Sequence, residues 1–433
     1  MRSIYVFLLL GLASSVLCPA QTMFRGDARH TGTTQEKGPA TLHGIKWSFA
    51  TSARSLASPV LDQGTLFIGS DDCTLYALNA ATGKARWKFV TGGPLRSTAA
   101  VDSGIVYFGS YDGQLYAVSA EKGELRWKFA TGGERRFEAK GLHGSTPSTQ
   151  TTPDPWDCYQ SSPVVAEGRV IFGSGDSQIY ALEAKTGALA WKFATGDVVH
   201  ASPAFADGRV FVGSWDSRLY ALDVKTGREL WHFQAGLDPK DHNQVGFQSS
   251  PAVVDGVVYV GCRDAQLYAL DAATGKEKWR YDNHGSWVIT SPAVTNGNVV
   301  FGTSDTAKIQ VLDAATGTLK RTVQAGSFIF ASPTLSGSIA YVGVMNGSLL
   351  AVDWEKGAQL WEFQTAAARE NKLQVLNPDH TNNLTNQFRN EFFDLHVHSL
   401  ERIFSVGSIM STPLVNGGLV YISSTDGNVY AIE

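Results

Sequence analysis

His380, Asp394, His396 and His398 bring metal-ligating residue types together late in the chain. If residues 396–398 are extended, both imidazoles share one face, and with Asp394 nearby the set suits Zn²⁺ or another divalent ion. If they are helical, the two rings point apart, and surface or packing roles are the alternative. The cysteines are Cys18, Cys73, Cys158 and Cys262, none adjacent to another, and no Cys-x-x-Cys-His haem signature occurs. Gly-rich phosphate loops, a Gly-x-Ser-x-Gly elbow and a His-Glu-x-x-His pair are also missing from the sequence, so spacing alone reveals no catalytic constellation. Asp-rich turns such as Asp71-Asp72 and Asp112-Gly113 follow from hairpin geometry.

Composition narrows the class of partner. The 433 residues include 36 Lys+Arg and 40 Asp+Glu, a formal charge of −4, with no basic block long enough to track a phosphate backbone, so no nucleic acid is expected. One long apolar run, Ile4 to Ala13, follows Arg2 and precedes small residues, the pattern of a secretory signal peptide over residues 1–20. Cleavage after Ala20 leaves a mature chain with three cysteines, which allows at most one disulfide. Leu17 stands where a lipobox needs a small residue, so a lipid anchor at Cys18 is not expected. The expectation is a soluble periplasmic or secreted monomer with no transmembrane span once the signal is removed.

The elements that must position any site come from a repeat. Ser250-Pro251, Asp255-Gly256, Tyr268, Asp271, Thr274-Gly275 and Trp279 mark one copy. Further copies carry Pro203, Tyr220 and Trp231; Pro163, Tyr180 and Trp191; Pro59, Tyr76 and Trp87; and weaker versions bring the total to eight. Each copy alternates short Val-, Ile- and Tyr-rich runs with Asp-Gly or Thr-Gly turns, which reads as four antiparallel strands. A period of about 40 residues with four strands per unit means propeller blades. The chain ends on a third strand, Tyr430 to Glu433, while Ile45 to Ala50 is an orphan fourth strand carrying Trp47. Joining them closes an all-β, eight-bladed propeller over residues 45–433, after a lead-in at 21–44.

The segment Ala269-Leu-Asp271-Ala-Ala-Thr274-Gly275-Lys-Glu-Lys-Trp279 resembles the repeat of the pyrroloquinoline-quinone (PQQ) propeller superfamily. That group includes quinoprotein alcohol dehydrogenases and the outer-membrane assembly factor BamB, and the resemblance spans about Trp47 to Glu433. The motif residues have structural jobs: the Asp accepts backbone N–H groups, the Gly takes positive φ, and the Trp docks on the next blade. For the dehydrogenases the resemblance implies a vicinal Cys–Cys disulfide, a Ca²⁺ site of Glu, Asn and Asp, and an Asp base. With no adjacent cysteines here, no cofactor is expected, and PQQ with Ca²⁺ at the central funnel is the alternative. Copies six and seven depart from the pattern, with Arg321 in place of Trp and Gln310 and Leu350 in place of Tyr, which leaves blade docking open there.

Spacing also locates the working face. The positions that start the blades are 40, 64, 40, 48, 41, 41 and 80 residues apart, and the surpluses near 133–160, 236–248 and 366–408 all precede a first strand. Such connections emerge on one face, where loops on a rigid scaffold carry function. The largest insertion reads as a short helical cap over Asn383 to Phe404. The residues before each blade start line the funnel mouth: Arg96, Gln160, His200 and Gln248 are polar, while Leu56, Ile289, Phe330 and Met410 are apolar. The adjoining turns add Asp71, Tyr111, Trp215, Arg263 and Met345. Arg96, Gln160, His200, Gln248, Trp215 and Arg263 are therefore the candidate ligand-binding residues. The sequence points to an exported, non-catalytic propeller that binds a protein, a peptide or a small ligand on this face. By resemblance that role is BamB-like assembly of cell-envelope proteins, and the alternative is a quinoprotein dehydrogenase.

Overall fold

A computed structural model describes residues 21–388 and 395–433; the expected signal peptide and Asp394 lie outside them. Eight sheets of four antiparallel strands are arranged as blades, and the lead-in residues Thr33–Thr34 add a short parallel fifth strand to blade seven. Blade five consists of Ala252–Val254, Val257–Gly261, Gln266–Asp271 and Glu277–Asp282. Its second and third strands are buried almost throughout, which explains their near-continuous apolar runs, whereas the outermost strand alternates between exposed and partly buried residues. The ring closes as the orphan strand requires: Ile45–Ala50 pairs antiparallel with Asn428–Ile432, and Trp47 lies opposite Ala431.

The repeat motif is a docking device. Asp271 accepts the N–H groups of Ala273 and Thr274, which shapes the turn. Gly275 then sits at φ 71° directly under the Trp231 ring of the preceding blade, where a Cβ would stand 2.6 Å from the indole. The Trp231 indole N–H donates to Ala272 O at 3.2 Å. Trp47, Trp87, Trp127, Trp191 and Trp279 dock in the same way. Where Arg321 replaces Trp, its Nε donates to Glu355 O at 3.3 Å, and Trp354 from the next blade fills the buried cluster with Val311, Val323 and Leu335. A second clasp recurs in the turn between strands two and three, where Asp264 accepts both the Tyr268 hydroxyl and the Gly236 N–H. Blades six and seven carry Thr306–Gln310 and Asn346–Leu350 at these positions and lack that pair.

Both mouths of the channel are built by chain outside the repeat. On one side the lead-in crosses the ring. Carbonyls of Gln21, Thr22, Ala28, Arg29, Thr31 and Gly32 accept N–H groups from first strands around the ring. The channel wall is a ring of hydroxyls, in which the N–H of Ser162 donates to Ser202, that of Ser202 to Ser250, and that of Ser250 to Ser291, at 2.8–3.0 Å. On the other side the three insertions meet. His143 N–H bonds Asp241 O across two of them, and the third contains helices Ala366–Glu370, Leu384–Gln387 and Leu395–Phe404.

Candidate functional site

The first insertion rises from blade two, forms the short pair Glu138–Lys140 and Thr151–Pro153, then turns Asp154 to Tyr159 down into the funnel mouth. Tyr159 reaches across the channel and donates its hydroxyl to Phe330 O at 2.9 Å, with Met410 O at 3.2 Å. Beneath it, down to Phe24 of the lead-in, remains a cavity of about 40 Å³. That is room for a few waters at most, since each needs about 10–15 Å³.

All six candidate ligand-binding residues stand at this mouth, and the insertion occupies them. Arg263 is fully buried, paired with Asp154 and held between Trp287, 3.8 Å from its guanidinium, and Trp215 at 4.8 Å. Burial opposes the charge on Asp154, but Arg263 and His143, the latter bonded at 3.0 Å, outweigh it and hold the carboxyl well below the usual range. His200 is bracketed by Asp157 at 2.7 Å and Glu134 at 2.8 Å. Burial alone would lower its pKa, but those two carboxylates raise it to about 10, so the ring is an imidazolium at neutral pH. Arg96 makes a two-pronged pair with Asp71, 2.9 and 2.8 Å, and reaches Cys158 O. Gln248 donates to Trp156 O at 2.8 Å, while Gln160 lines the small cavity. Trp215 stacks on Phe137 of the insertion at 4.6 Å. Trp215 and Arg263 are therefore internal supports and not exposed anchors.

Only His380 and His398 of the metal-ligating set have described side chains. His396 and His398 fall on the helix Leu395–Phe404, so two residues' separation turns them about 200° apart. His398 is exposed, while Asp394 and the side chain of His396 lie outside the described residues. Among the described residues, no group of three His, Cys, Asp or Glu side chains is placed to hold a metal ion.

Beside the filled mouth lies an open cleft of about 380 Å³ between all three insertions and the turns of blades six and seven. Its walls include Trp156, Trp287, Phe328, Phe330 and Phe388, and its rim carries Asp241, Asn243, Gln244, Ser304 and Asp305. Sequence reasoning did not find this site. The available signal was four Trp residues outside the docking position, Trp156, Trp215, Trp287 and Trp354, three of which gather around Arg263 and the cleft.

Repeats closed by their own ends, Trp-on-Gly docking and insertions confined to one face define the protein as an eight-bladed propeller of PQQ-like repeats. The family model described as "Outer membrane protein assembly factor BamB" matches residues 44–151, 135–246 and 239–433, and the chain belongs to that family. Solved structures share the fold at low identity. BamB from Moraxella catarrhalis is similar with 17% identity and a TM-score of 0.64, over 90% of this chain and 97% of that one. A europium-containing methanol dehydrogenase aligns with 13% identity and a TM-score of 0.70, over 96% and 98%. The quinohemoprotein alcohol dehydrogenase from Comamonas testosteroni aligns with 15% identity and a TM-score of 0.68, over 97% and 81%. No curated protein matches by sequence. Among the described residues no helix is long and apolar enough to cross a membrane.

The fold is shared with quinoproteins, whose cofactor would need room and free polar groups at the funnel. Cys73, Cys158 and Cys262 are all free thiols, and burial pushes that of Cys158 up to about 12. The funnel's charged side chains are already paired within the chain, and about 40 Å³ cannot admit a tricyclic quinone. The residues present do not fit the cofactor at the central funnel.

Proposed function

We propose that the protein is an exported, non-catalytic binding propeller whose insertion-bearing face takes a protein, peptide or small ligand, in a role like the envelope assembly named for its family. The observation that carries this reading is the filled mouth: the chain's own Asp154–Tyr159 segment lies in it and bonds Arg96, His200, Gln248 and Arg263. The insertions then become the surface that meets a partner. Export rests on the apolar run Ile4 to Ala13.

Incubating the purified protein with PQQ and Ca²⁺, then following cofactor binding and dye reduction with a panel of alcohols and sugars, tests the reading against the dehydrogenase alternative. Neither binding nor turnover is expected, and tight binding with turnover overturns it. Substitutions that test the face belong on the exposed Leu237, Leu373 and Leu384 of the insertions. Leu237→Asp and Leu384→Asp are expected to weaken capture of an envelope partner; loss only on substituting the opposite face would show that the wrong side was chosen.

A further inference from the structure

The turn between strands two and three carries one rim residue per blade, immediately before the Asp of the Tyr–Asp clasp. In blade two this is Tyr111, in blade four Trp215 and in blade five Arg263, each packed against or paired with its own chain. Blade six differs: its turn is one residue longer, Ser304 takes the rim position, Thr306 stands where the clasp Asp would be, and the extra residue between them is acidic, Asp305. There it is exposed and lines the open cleft, bonded only to the Ser304 hydroxyl among the described residues. Asp71, the acidic rim residue of blade one, is neutralised by Arg54 and Arg96. Asp305 has no such cation. Asp241, on the second insertion, adds another carboxylate to the same cleft, and among the described residues it too has no Lys, Arg or His side chain paired with it.

Among the described residues no Lys or Arg lines the cleft, and its one histidine, His143, is bonded to Asp154. Arg263, the nearest buried cation, lies behind Trp287 and is neutralised by Asp154. Trp287, Phe328 and Phe330 supply aromatic surface, and about 380 Å³ is the size of a small-molecule site, which typically spans about 300–1,000 Å³. Aromatic faces attract cations through their quadrupole, and unpaired carboxylates add to that attraction while repelling anions. We propose that this cleft binds an amphipathic organic cation, an amine or quaternary ammonium group on an apolar body, with the cationic end toward Asp305 and Asp241 and the apolar body against Trp287, Phe328 and Phe330. The proposal rests on reading the insertion-bearing face as the binding face.

Calorimetric titration of the purified protein with benzyltrimethylammonium, benzyl alcohol, phenylacetate and methyl β-glucoside tests the cleft. The cation is expected to bind about tenfold or more tightly than the neutral alcohol and to weaken as salt is raised, with no measurable binding of the anion. Asp305→Asn and Asp241→Asn are surface changes that leave the fold intact, and each is expected to weaken the cation about 3–10-fold. Equal binding of cation and alcohol, preference for the glucoside or the anion, no cation binding up to about 10 mM, or indifference to both substitutions would each overturn the proposal. The two readings fail separately: PQQ turnover removes the binding-propeller reading, whereas a cleft that ignores cations leaves it standing.

Discussion

Two concavities share the insertion-bearing face and use similar residue types to opposite ends. The central mouth holds Arg96, His200 and Arg263, and every one is matched by a carboxylate of the same chain. The lateral cleft, only a Trp287 ring away from Arg263, has two carboxylates with no Lys or Arg paired to them among the described residues and about 380 Å³ of open space. Charged and aromatic residues at a propeller mouth therefore do not identify a ligand site by themselves. What distinguishes the two is whether the bonding capacity of those groups has already been used internally, because a buried ion pair left intact offers nothing to a ligand, whereas a solvent-facing carboxylate over an aromatic wall does.

This contrast can be broken most severely at Arg263. Arg263→Ala strands Asp154 as an unpaired buried charge and empties the slot between Trp215 and Trp287, so a loss of about 3–5 kcal/mol is expected in denaturant unfolding. The double change Arg263→Met with Asp154→Leu should be milder than Arg263→Ala, since it removes both charges together. If the single change is nearly neutral, the mouth is not locked as described.

Next in size is the response to pH. The folded pKa of His200 is raised to about 10 from an ordinary value near 6.5, so its contribution is fully present below about 6.5 and is lost as pH rises through about 10. Asp154 shifts the other way: its contribution is present above about 4 and disappears as pH falls through its depressed folded value. Protection against hydrogen exchange over residues 133–160, taken relative to the intrinsic exchange rate at each pH, should therefore be greatest in the window between, and a His200→Gln variant should lose the alkaline limb of that profile. An unchanged alkaline limb in that variant would remove His200 from the lock.

Smaller effects complete the comparison. Tyr159→Phe removes one buried hydrogen bond while keeping the ring, with an expected cost of about 0.5–1.5 kcal/mol. Asp305→Asn should change stability by less than about 0.5 kcal/mol, as an exposed side chain outside any ion pair. A large loss at Asp305 would mean that the cleft, too, is structural.

Much of the scaffold was legible because its instructions are local and recur. Thr274-Gly275 and Trp279 each say the same thing as their counterparts a blade away, and the orphan Trp47 strand announced where the ring closes. The departure at Arg321 was visible, but the remedy was not, since Trp354 supplies the missing bulk from the neighbouring blade. Arg96, Gln160, His200 and Gln248 line the central cavity, and the insertion that covers it was not foreseen. Arg263 meets Asp154 across 109 residues and His200 meets Glu134 across 66, distances over which no periodicity carries information. The His-x-His pair falls on the helix Leu395–Phe404, where positions two apart do not share a face.

The sequence by itself determined the blade count, the order of the strands, the closure and the face that receives the insertions, because each follows from turn residues, alternation and docking pairs repeated along the chain. Only the tertiary structure decided that one insertion fills the funnel, that the lead-in crosses the opposite mouth, and that Asp305 and Asp241 stand beside an aromatic wall with no cation paired to them among the described residues. Those outcomes depend on which non-repeating side chains meet across the ring. Their pairing energies are set by burial and distance in the folded state, and spacing along the chain encodes neither.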